Sequence, residues 1–276
     1  MIVQTTEELG FGMDGFLKKN LSMAKEVVKK DWDMVFVVDG AEGSGKSVIA
    51  QQCAYYCDPT LTIERICFTP KEFKDAILKA EKYQSVVYDE AYTGLSSRAA
   101  MSLINRTLVR MLAEIRQKNL FVFVVMPTFF DLDKYVALWR SRALIHVYTK
   151  ENFERGYFCF FNIDRKKALY LIGKKFYSYS ATKANFIGRF PNKYVIDEVA
   201  YRAKKKESLG KDVDEMEEDS EMSKKFNDWL FVKLQNPSLN IQVKEKAALI
   251  GILPKSFTNK SIRYRRDQES EDVRGN

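Results

Sequence analysis

The sequence predicts a three-layer α/β fold with a mainly parallel central sheet, followed by a small all-α domain at the C-terminus. Five short apolar runs, rich in β-branched residues, alternate with helical patterns in the first part of the chain, as in sheets whose parallel strands are joined by helices. The runs cover residues 34–38, 64–69, 85–90, 120–126 and 143–149. The fourth run is apolar at every position, which is typical of a central strand covered on both faces.

Helical patterns occupy the segments around these strands. The apolar residues of 14–32 recur at helical spacing, which predicts a helix packed against an edge of the sheet. Pro70 favours the first turn of a helix, and the pattern that follows it is amphipathic. The remaining helices predicted in this part of the chain cover residues 46–57, 71–83, 97–118 and 132–139.

Beyond the fifth strand, two apolar segments are joined by four polar residues. The segments 156–163 and 168–173, on either side of the turn 164–167, predict a β-hairpin. The segment 176–191 is aromatic and irregular, and 194–209 is predicted to be a basic helix.

The first strand runs directly into a glycine-rich loop with the spacing G-x-x-x-x-G-K-S. Because glycine adopts backbone conformations that other residues resist, successive amide groups of such a loop can curl around an anion at the start of the next helix. In this P-loop motif Lys46 lies over the β- and γ-phosphates and the Ser47 hydroxyl coordinates Mg²⁺. The alternative, an ordinary glycine-rich turn, does not account for the flanking strand and helix. The predicted ATP-binding residues are Gly40, Ala41, Glu42, Gly43, Ser44, Gly45, Lys46 and Ser47.

The third apolar run ends in two adjacent carboxylates, Asp89 and Glu90. Downstream of a P-loop, this is the arrangement of a Walker B strand. Asp89 would hold the Mg²⁺ shell together with Ser47, while Glu90 would orient and polarise the water that attacks the γ-phosphate. The alternative is a strand that ends in a solvated acid pair.

Thr128 follows the central strand 120–126 and is the candidate for a residue that senses the γ-phosphate. A side chain just past the central strand beside a P-loop is well placed for that role. A plain turn residue is an equal alternative.

The charge distribution divides the chain into three parts. The formal net charge of +8 suits a polyanionic partner. Residues 150–208 contain 14 Lys and Arg against 6 Asp and Glu, and residues 223–276 contain 11 against 6. The stretch 209–222 between them is acidic, which is typical of a linker. We therefore expect an ATPase domain at 1–208, an acidic linker at 209–222 and a small helical domain at 223–276.

Other classes are disfavoured by composition. No apolar run approaches the roughly 20 residues of a membrane helix, and the N-terminus lacks a signal pattern, so we expect a cytoplasmic protein without a membrane segment, in the host cytoplasm if it is viral. Four cysteines do not form a disulfide scaffold at this length, and one histidine makes a Cys/His metal site hard to assemble. That histidine, His146, is expected to be a strand residue without a catalytic role.

The C-terminal region carries a second pattern. An alanine-rich helix at 243–252, a turn containing Gly251 and a polar, basic helix from 254 to 266 are typical of a helix-turn-helix DNA reader. The alternative is a small helical bundle that docks a protein partner. The predicted groove-facing residues are Lys255, Ser256, Thr258, Asn259 and Lys260, and the predicted phosphate contacts are Arg263, Arg265 and Arg266.

Together these motifs resemble a known division of nucleotide hydrolases. Asp89 is followed directly by Glu90, and an extra strand is predicted between this pair and the P-loop. The same arrangement is found in the additional-strand, catalytic-glutamate (ASCE) P-loop ATPases, whose core is RecA-like, so the chain resembles them. After the central strand come the polar turn 131–134, two arginines and another strand. This order is similar to that in the FtsK and HerA DNA-pumping ATPases and their viral genome-packaging relatives. The resemblance covers roughly residues 34–150 and implies a ring around DNA. The sensor position, often glutamine or asparagine in those families, is Thr128 here, which leaves the sub-family open.

A ring implies that a neighbouring subunit donates an arginine to the γ-phosphate, since a cation there stabilises the charge that develops in the transition state. Arg140 and Arg142 precede the fifth strand and are the candidates. For each of them, a plain surface charge is an equal alternative.

From these observations we expect a Mg²⁺-dependent ATPase that couples hydrolysis to translocation, packaging or remodelling of DNA as a ring-shaped homo-oligomer. One alternative is a viral or mobile-element replication initiator, helicase loader or transposition-type switch that binds DNA without processive movement. Another is a nucleotide-gated binding switch with slow turnover. A small-molecule kinase is disfavoured, because no lid rich in phosphate-facing arginines is evident.

Overall fold

A computed structural model describes residues 3–5, 10–89, 98–236, 238–239 and 241–274. The chain divides into two compact units, Met1–Gly210 and Lys211–Asn276. This division lies close to the boundary predicted after residue 208. Within the described residues, no helix has the length and apolar character needed to cross a bilayer.

The first unit contains nine strands among its described residues, and seven of them form one sheet. In chain order the strands are β1 (Val3–Thr5), β2 (Gly12–Asp14), β3 (Met34–Gly40), β4 (Ile66–Cys67), β5 (Ser85–Asp89), β6 (Phe121–Met126), β7 (Ala143–Tyr148), β8 (Tyr157–Phe161) and β9 (Phe186–Arg189). The described helices of both units are, in chain order, α1 (Gly15–Val28), α2 (Lys46–Cys57), α3 (Pro70–Lys79), α4 (Arg98–Glu114), α5 (Ile163–Gly173), α6 (Glu198–Lys233), α7 (Val243–Leu249) and α8 (Pro254–Arg274).

The large sheet has the strand order β4-β5-β6-β3-β7-β8-β9. Its first five strands are parallel, while β8 and β9 continue the sheet in antiparallel pairing. The predicted α/β fold with a mainly parallel sheet is therefore confirmed. Because β6 lies between β3 and β5, the strand that enters the glycine-rich loop and the strand that ends in Asp89 are separated by one strand.

Helices cover both faces of this sheet, which explains why its strands are apolar on both sides. On one face, Phe36 and Val38 of β3 pack in a core with α1 and α2. On the other face, Val35 and Val37 pack in a core with α3, α4 and α5. Alternate residues of the same strand therefore enter different cores, as the geometry of an extended chain requires.

The predicted hairpin after the fifth strand is wrong. Its first half is β8, but 168–173 belongs to the helix α5, and β8 instead pairs with β7 and β9. The Asn162 side chain caps this helix by accepting a hydrogen bond from the backbone N–H of Arg165 at 3.0 Å. The buried residues of α5 are Lys166, Leu169, Tyr170 and Gly173, and their helical spacing prevails over the strand-like apolar run.

Three other elements differ from the sequence prediction. The strand expected at 64–69 is shortened to β4, after a 3-10 turn at Ile63–Arg65. The helix expected at 132–139 is a π-helical turn, Val136–Arg140. The expected linker 209–222 has a helical backbone and lies within α6, in agreement with the helix-favouring Glu, Lys and Met content of this stretch.

The second unit has its own small core, formed by the end of α6 with α7 and α8. Its buried residues are Phe231, Leu234, Ala247, Ile250 and Phe257. A capping box between Gln242 and Glu245 begins α7, and Gly251 follows this helix with a φ of 68°. The predicted order of helix, glycine-containing turn and second helix is present, and α8 is longer than expected.

Candidate functional site

The glycine-rich loop has the backbone conformation that its glycines allow. Gly40, Gly43 and Gly45 have φ values of 141°, 72° and 101°, which side chains with a Cβ rarely permit. A Cβ on Gly40 would lie 2.0 Å from the carbonyl oxygen of Val147 on the neighbouring strand. Gly40 therefore lets β3 and β7 approach at the point where the loop begins.

Lys46 begins α2 and folds back over the loop. Its Nζ donates hydrogen bonds to the carbonyl oxygens of Gly40 at 2.6 Å and Ala41 at 3.0 Å. Burial lowers the pKa of Lys46, while the nearby carboxylates of Asp39 and Asp89 act in the opposite direction. The ammonium group thus lies beside the backbone of the loop and between two acidic side chains.

Asp89 lies at the carboxyl end of β5 and is 2% exposed. Its Oδ2 accepts a hydrogen bond from the Tyr201 hydroxyl, and its Oδ1 lies 3.8 Å from the Nζ of Lys205. Tyr201 is also close enough to the Ser47 side chain to interact with it. Burial and the charge of Asp89 raise the pKa of Tyr201 far above its usual value, so this phenol is a neutral donor.

Lys46, Ser47 and Asp89 line one cavity of about 670 Å³ at the carboxyl edge of the sheet. This volume falls in the range of small-molecule and cofactor sites. The structure brings together the loop residues 42–47 and the acidic end of β5, as the motifs predicted. Glu90 lies outside the described residues.

The donors at this cavity are those that Mg²⁺ prefers. Mg²⁺ is commonly bound through one or two carboxylates, waters and substrate phosphates rather than by an all-protein cage. Asp89 supplies a carboxylate and Ser47 a hydroxyl. Among the described residues there is no cluster of three or more His, Cys, Asp or Glu side chains that could hold a metal ion. The carboxylate of Asp89 and the hydroxyl of Ser47 fit a Mg²⁺ ion whose other ligands are waters and phosphate oxygens.

Four basic side chains line the same cavity and were not predicted as site residues: Arg155, Arg202, Lys205 and Lys206. Three of them lie at the start of α6, beside Tyr201. The sequence identified a basic helix here, and the four-residue spacing from Tyr201 to Lys205 and from Arg202 to Lys206 places each pair on one side of it. Only the packing of α6 against the sheet edge shows that these sides face the loop.

A buried hydrogen-bonded cluster supports the end of β3. Asp39, fully buried, accepts a hydrogen bond from the backbone N–H of Phe129 at 2.7 Å and another from the Tyr179 hydroxyl. The Nδ1 of His146 lies 2.9 Å from the other carboxylate oxygen of Asp39, and its ring stacks on Tyr179 at 3.6 Å. His146 is thus a strand residue, as expected, and it helps to hold the residue that precedes Gly40.

Thr128 belongs to this cluster rather than to the cavity wall. Its hydroxyl lies 3.1 Å from the Tyr179 hydroxyl and accepts a hydrogen bond from the N–H of Phe130. At the carboxyl end of β6, the described cavity lining includes Met126 and Pro127 but not Thr128. The structure therefore favours the turn interpretation, and a sensing role for Thr128 stays a prediction.

Arg140 and Arg142 lie at the amino-terminal end of β7, on the opposite edge of the sheet from the glycine-rich loop. Arg140 donates to the buried carboxylate of Asp33 through both terminal nitrogens and to the carbonyl oxygen of Leu112 at 2.7 Å. Its guanidinium is thus engaged within the chain. Arg142 lies 5.2 Å from the ring centre of Trp32. A contact of either arginine with a neighbouring subunit stays a prediction.

The predicted DNA contacts all lie on α8. Lys255, Ser256, Thr258, Asn259, Lys260, Arg263 and Arg266 are exposed, while the side chain of Arg265 lies outside the described part of the structure. Two of these residues already have partners within the unit: Lys260 donates to Asp228 at 2.7 Å, and the Thr258 hydroxyl donates to the carbonyl oxygen of Pro254 at 3.1 Å.

No family model matches the sequence, and a search of curated proteins finds no significant match.

Proposed function

We propose that this chain is a Mg²⁺-dependent P-loop ATPase that couples ATP hydrolysis to movement or remodelling of DNA, and that it works as a ring-shaped homo-oligomer. The observation that carries the proposal is the convergence of Lys46, Ser47 and Asp89 on one cavity of about 670 Å³. Had the two strand ends been on opposite edges of the sheet, no single triphosphate could contact both.

The strand order also favours this class of enzyme. The additional strand of the resemblance described above, predicted at 64–69, is β4, which pairs with the carboxylate strand β5. Here β6 separates the strand of the loop from the strand of Asp89, and adjacent strands lie about 4.8 Å apart. The ends of β3 and β5 are therefore roughly 10 Å apart, which leaves room for a phosphate and its metal between them.

The residues would act mainly by positioning and electrostatics. The amides of the loop and the ammonium of Lys46 would bind the phosphates, and Asp89 with Ser47 would hold Mg²⁺, which neutralises phosphate charge when bound. Glu90 would orient the attacking water and accept its proton. The chain forms no covalent bond to substrate in this scheme.

DNA is proposed as the partner because a formal charge of +8 accompanies an exposed, basic α8 in the second unit. Phosphate contacts by Lys and Arg dominate the affinity of such proteins for nucleic acid and make it depend on salt. Ring assembly is proposed on the resemblance alone.

The experiment that tests the activity compares ATP binding and turnover in three variants of the full chain. Lys46→Ala should abolish ATP binding, because the phosphates lose their half-buried cation. Glu90→Gln should retain bound ATP and lower turnover by roughly 10²- to 10⁴-fold, the typical contribution of a general base. Lys74→Ala removes an exposed lysine of α3 and is the matched control. Unchanged ATP binding in Lys46→Ala would refute the proposal. Slow turnover in the unmodified chain that Glu90→Gln leaves unchanged would indicate a binding switch.

A further inference from the structure

The carboxylate expected to bind Mg²⁺ is already engaged at both oxygens by side chains of α6. The Tyr201 hydroxyl donates to Oδ2 of Asp89, and the Nζ of Lys205 lies 3.8 Å from Oδ1. Tyr201 and Lys205 are four residues apart, so one face of one helical turn supplies both contacts. Tyr201 also reaches Ser47, the other predicted metal ligand.

This turn of α6 is firmly attached to the edge of the sheet. Lys204 donates to the carbonyl oxygens of Ile63 at 3.0 Å and Ile66 at 2.6 Å. The ring of Tyr201 packs against Phe68 with ring centres 5.5 Å apart. These contacts lie outside the cavity, and they direct the Tyr201 hydroxyl and the Lys205 ammonium towards Asp89.

Lys205 also belongs to the same electrostatic site as the lysine of the glycine-rich loop. Both line the cavity, and Lys205 is close enough to lower the pKa of Lys46. Two ammonium groups that face one cavity repel each other, and a polyanion placed between them would relieve that repulsion. The chain thus presents one cation from the loop and one from α6.

These contacts disfavour direct coordination of Mg²⁺ by Asp89. Mg²⁺ requires direct oxygen ligands at about 2.0–2.1 Å in near-octahedral geometry. One oxygen of this carboxylate accepts the phenolic hydrogen bond, and the other faces the ammonium group. Mg²⁺ must therefore compete with a side chain at either oxygen. A dication on Asp89 would also lie within a few ångströms of the Lys205 charge.

We propose that Tyr201 and Lys205 compete with Mg²⁺ for Asp89, so that binding of the metal–nucleotide complex requires these two side chains to release the carboxylate, and that the released Lys205 then contacts the phosphates. The inference rests on the proposed nucleotide site and assigns it two further residues of the same chain. Tyr201 and Lys205 act on the metal through Asp89, and Lys205 is in addition a phosphate ligand.

The test measures binding of a fluorescent ATP analogue to the full chain as Mg²⁺ is titrated, and in EDTA without Mg²⁺. Tyr201→Phe keeps the ring packing and removes the hydroxyl, so the Mg²⁺ concentration at half-maximal binding should fall several-fold. Lys205→Met should lower that concentration about tenfold, and should weaken binding at saturating Mg²⁺ by a similar factor. A tenfold change corresponds to about 1.4 kcal/mol.

Tyr135→Phe and Lys74→Met are the matched controls. Both residues are exposed, and neither lines the cavity. Both variants should leave the Mg²⁺ midpoint within about twofold of the unmodified chain. Equal shifts in these controls would indicate a general effect of the substitutions and overturn the competition.

An unchanged or raised Mg²⁺ midpoint in Tyr201→Phe and Lys205→Met also overturns the inference. Lys46→Ala distinguishes this failure from that of the proposed function: if Lys46→Ala still abolishes binding, only the competition is refuted. Should Lys205→Met fail to fold, the conservative Tyr201→Phe decides the question alone.

Discussion

Lys166 is a fully buried lysine whose charge state should control the pH dependence of stability. Its Nζ donates a hydrogen bond to the carbonyl oxygen of Ala137, and burial, reinforced by the charges of Lys167 and Arg142, lowers its pKa from 10.5 to about 7. Folding therefore carries a penalty whenever this group is protonated. Lys166→Met keeps an unbranched chain of similar size and removes the charge.

The size and sign of the effect follow from the pKa. The difference of about 3.5 units between the unfolded and folded chain corresponds to a penalty on the order of 5 kcal/mol, at about 1.4 kcal/mol per unit. Below pH 7 both states bind the proton, so the full penalty applies. As the pH rises from about 7 to 10.5 the unfolded chain binds more protons than the folded chain, so the free energy of unfolding increases.

The assay is urea unfolding of the unmodified chain and of Lys166→Met between pH 6 and pH 9. The variant should be more stable at pH 6, and its advantage should shrink by up to about 1.4 kcal/mol per pH unit above 7. Loss of the hydrogen bond costs little, because Ala137 still accepts from the Ser141 hydroxyl at 3.2 Å. Lys175→Met, at an exposed position, is the control and should show no such trend. A pH-independent difference would refute the assigned charge state of Lys166.

Three further predictions concern the site and its surroundings. Arg140→Met should lower the free energy of unfolding by about 3–5 kcal/mol, because it leaves the buried carboxylate of Asp33 without its cation. A loss below about 1 kcal/mol in urea unfolding would show that this ion pair does not stabilise the fold. Gly40→Ala should lose ATP binding in a fluorescence titration, because the new Cβ would overlap the carbonyl oxygen of Val147 at 2.0 Å; retained affinity would contradict the described loop. Arg263→Ser should reduce the slope of log affinity for DNA against log salt by about 1, and an unchanged slope would remove this residue from the DNA contacts.

Local sequence signals predicted the parts of the fold that depend on neighbouring residues. Helix α2 begins and ends where the pattern placed it, at Lys46 and Cys57, because a glycine-rich loop precedes it and the Asp58-Pro59 pair follows it. The loop residues and Asp89 reach one cavity, since parallel strands bring their carboxyl ends to the same edge.

The predicted hairpin failed for a physical reason that periodicity alone does not resolve. The run 168–173 is short and apolar, and such a run suits a buried strand or the buried side of a helix equally well. The Asn162 cap and the core contacts of Leu169 and Tyr170 decide for the helix. The position beside β8 is then taken by β9, which comes from a segment interpreted as irregular.

By itself, the sequence determined the α/β class, the position of the glycine-rich loop and the acidic strand end, because each is encoded by residues close together in the chain. Only the tertiary structure decided which distant groups surround that loop. Tyr201 and Lys205 reach Asp89 across more than a hundred positions in sequence, and Arg140 is engaged by Asp33 rather than left as a surface charge. Such partners depend on how helices pack on the sheet, and no short-range pattern specifies them.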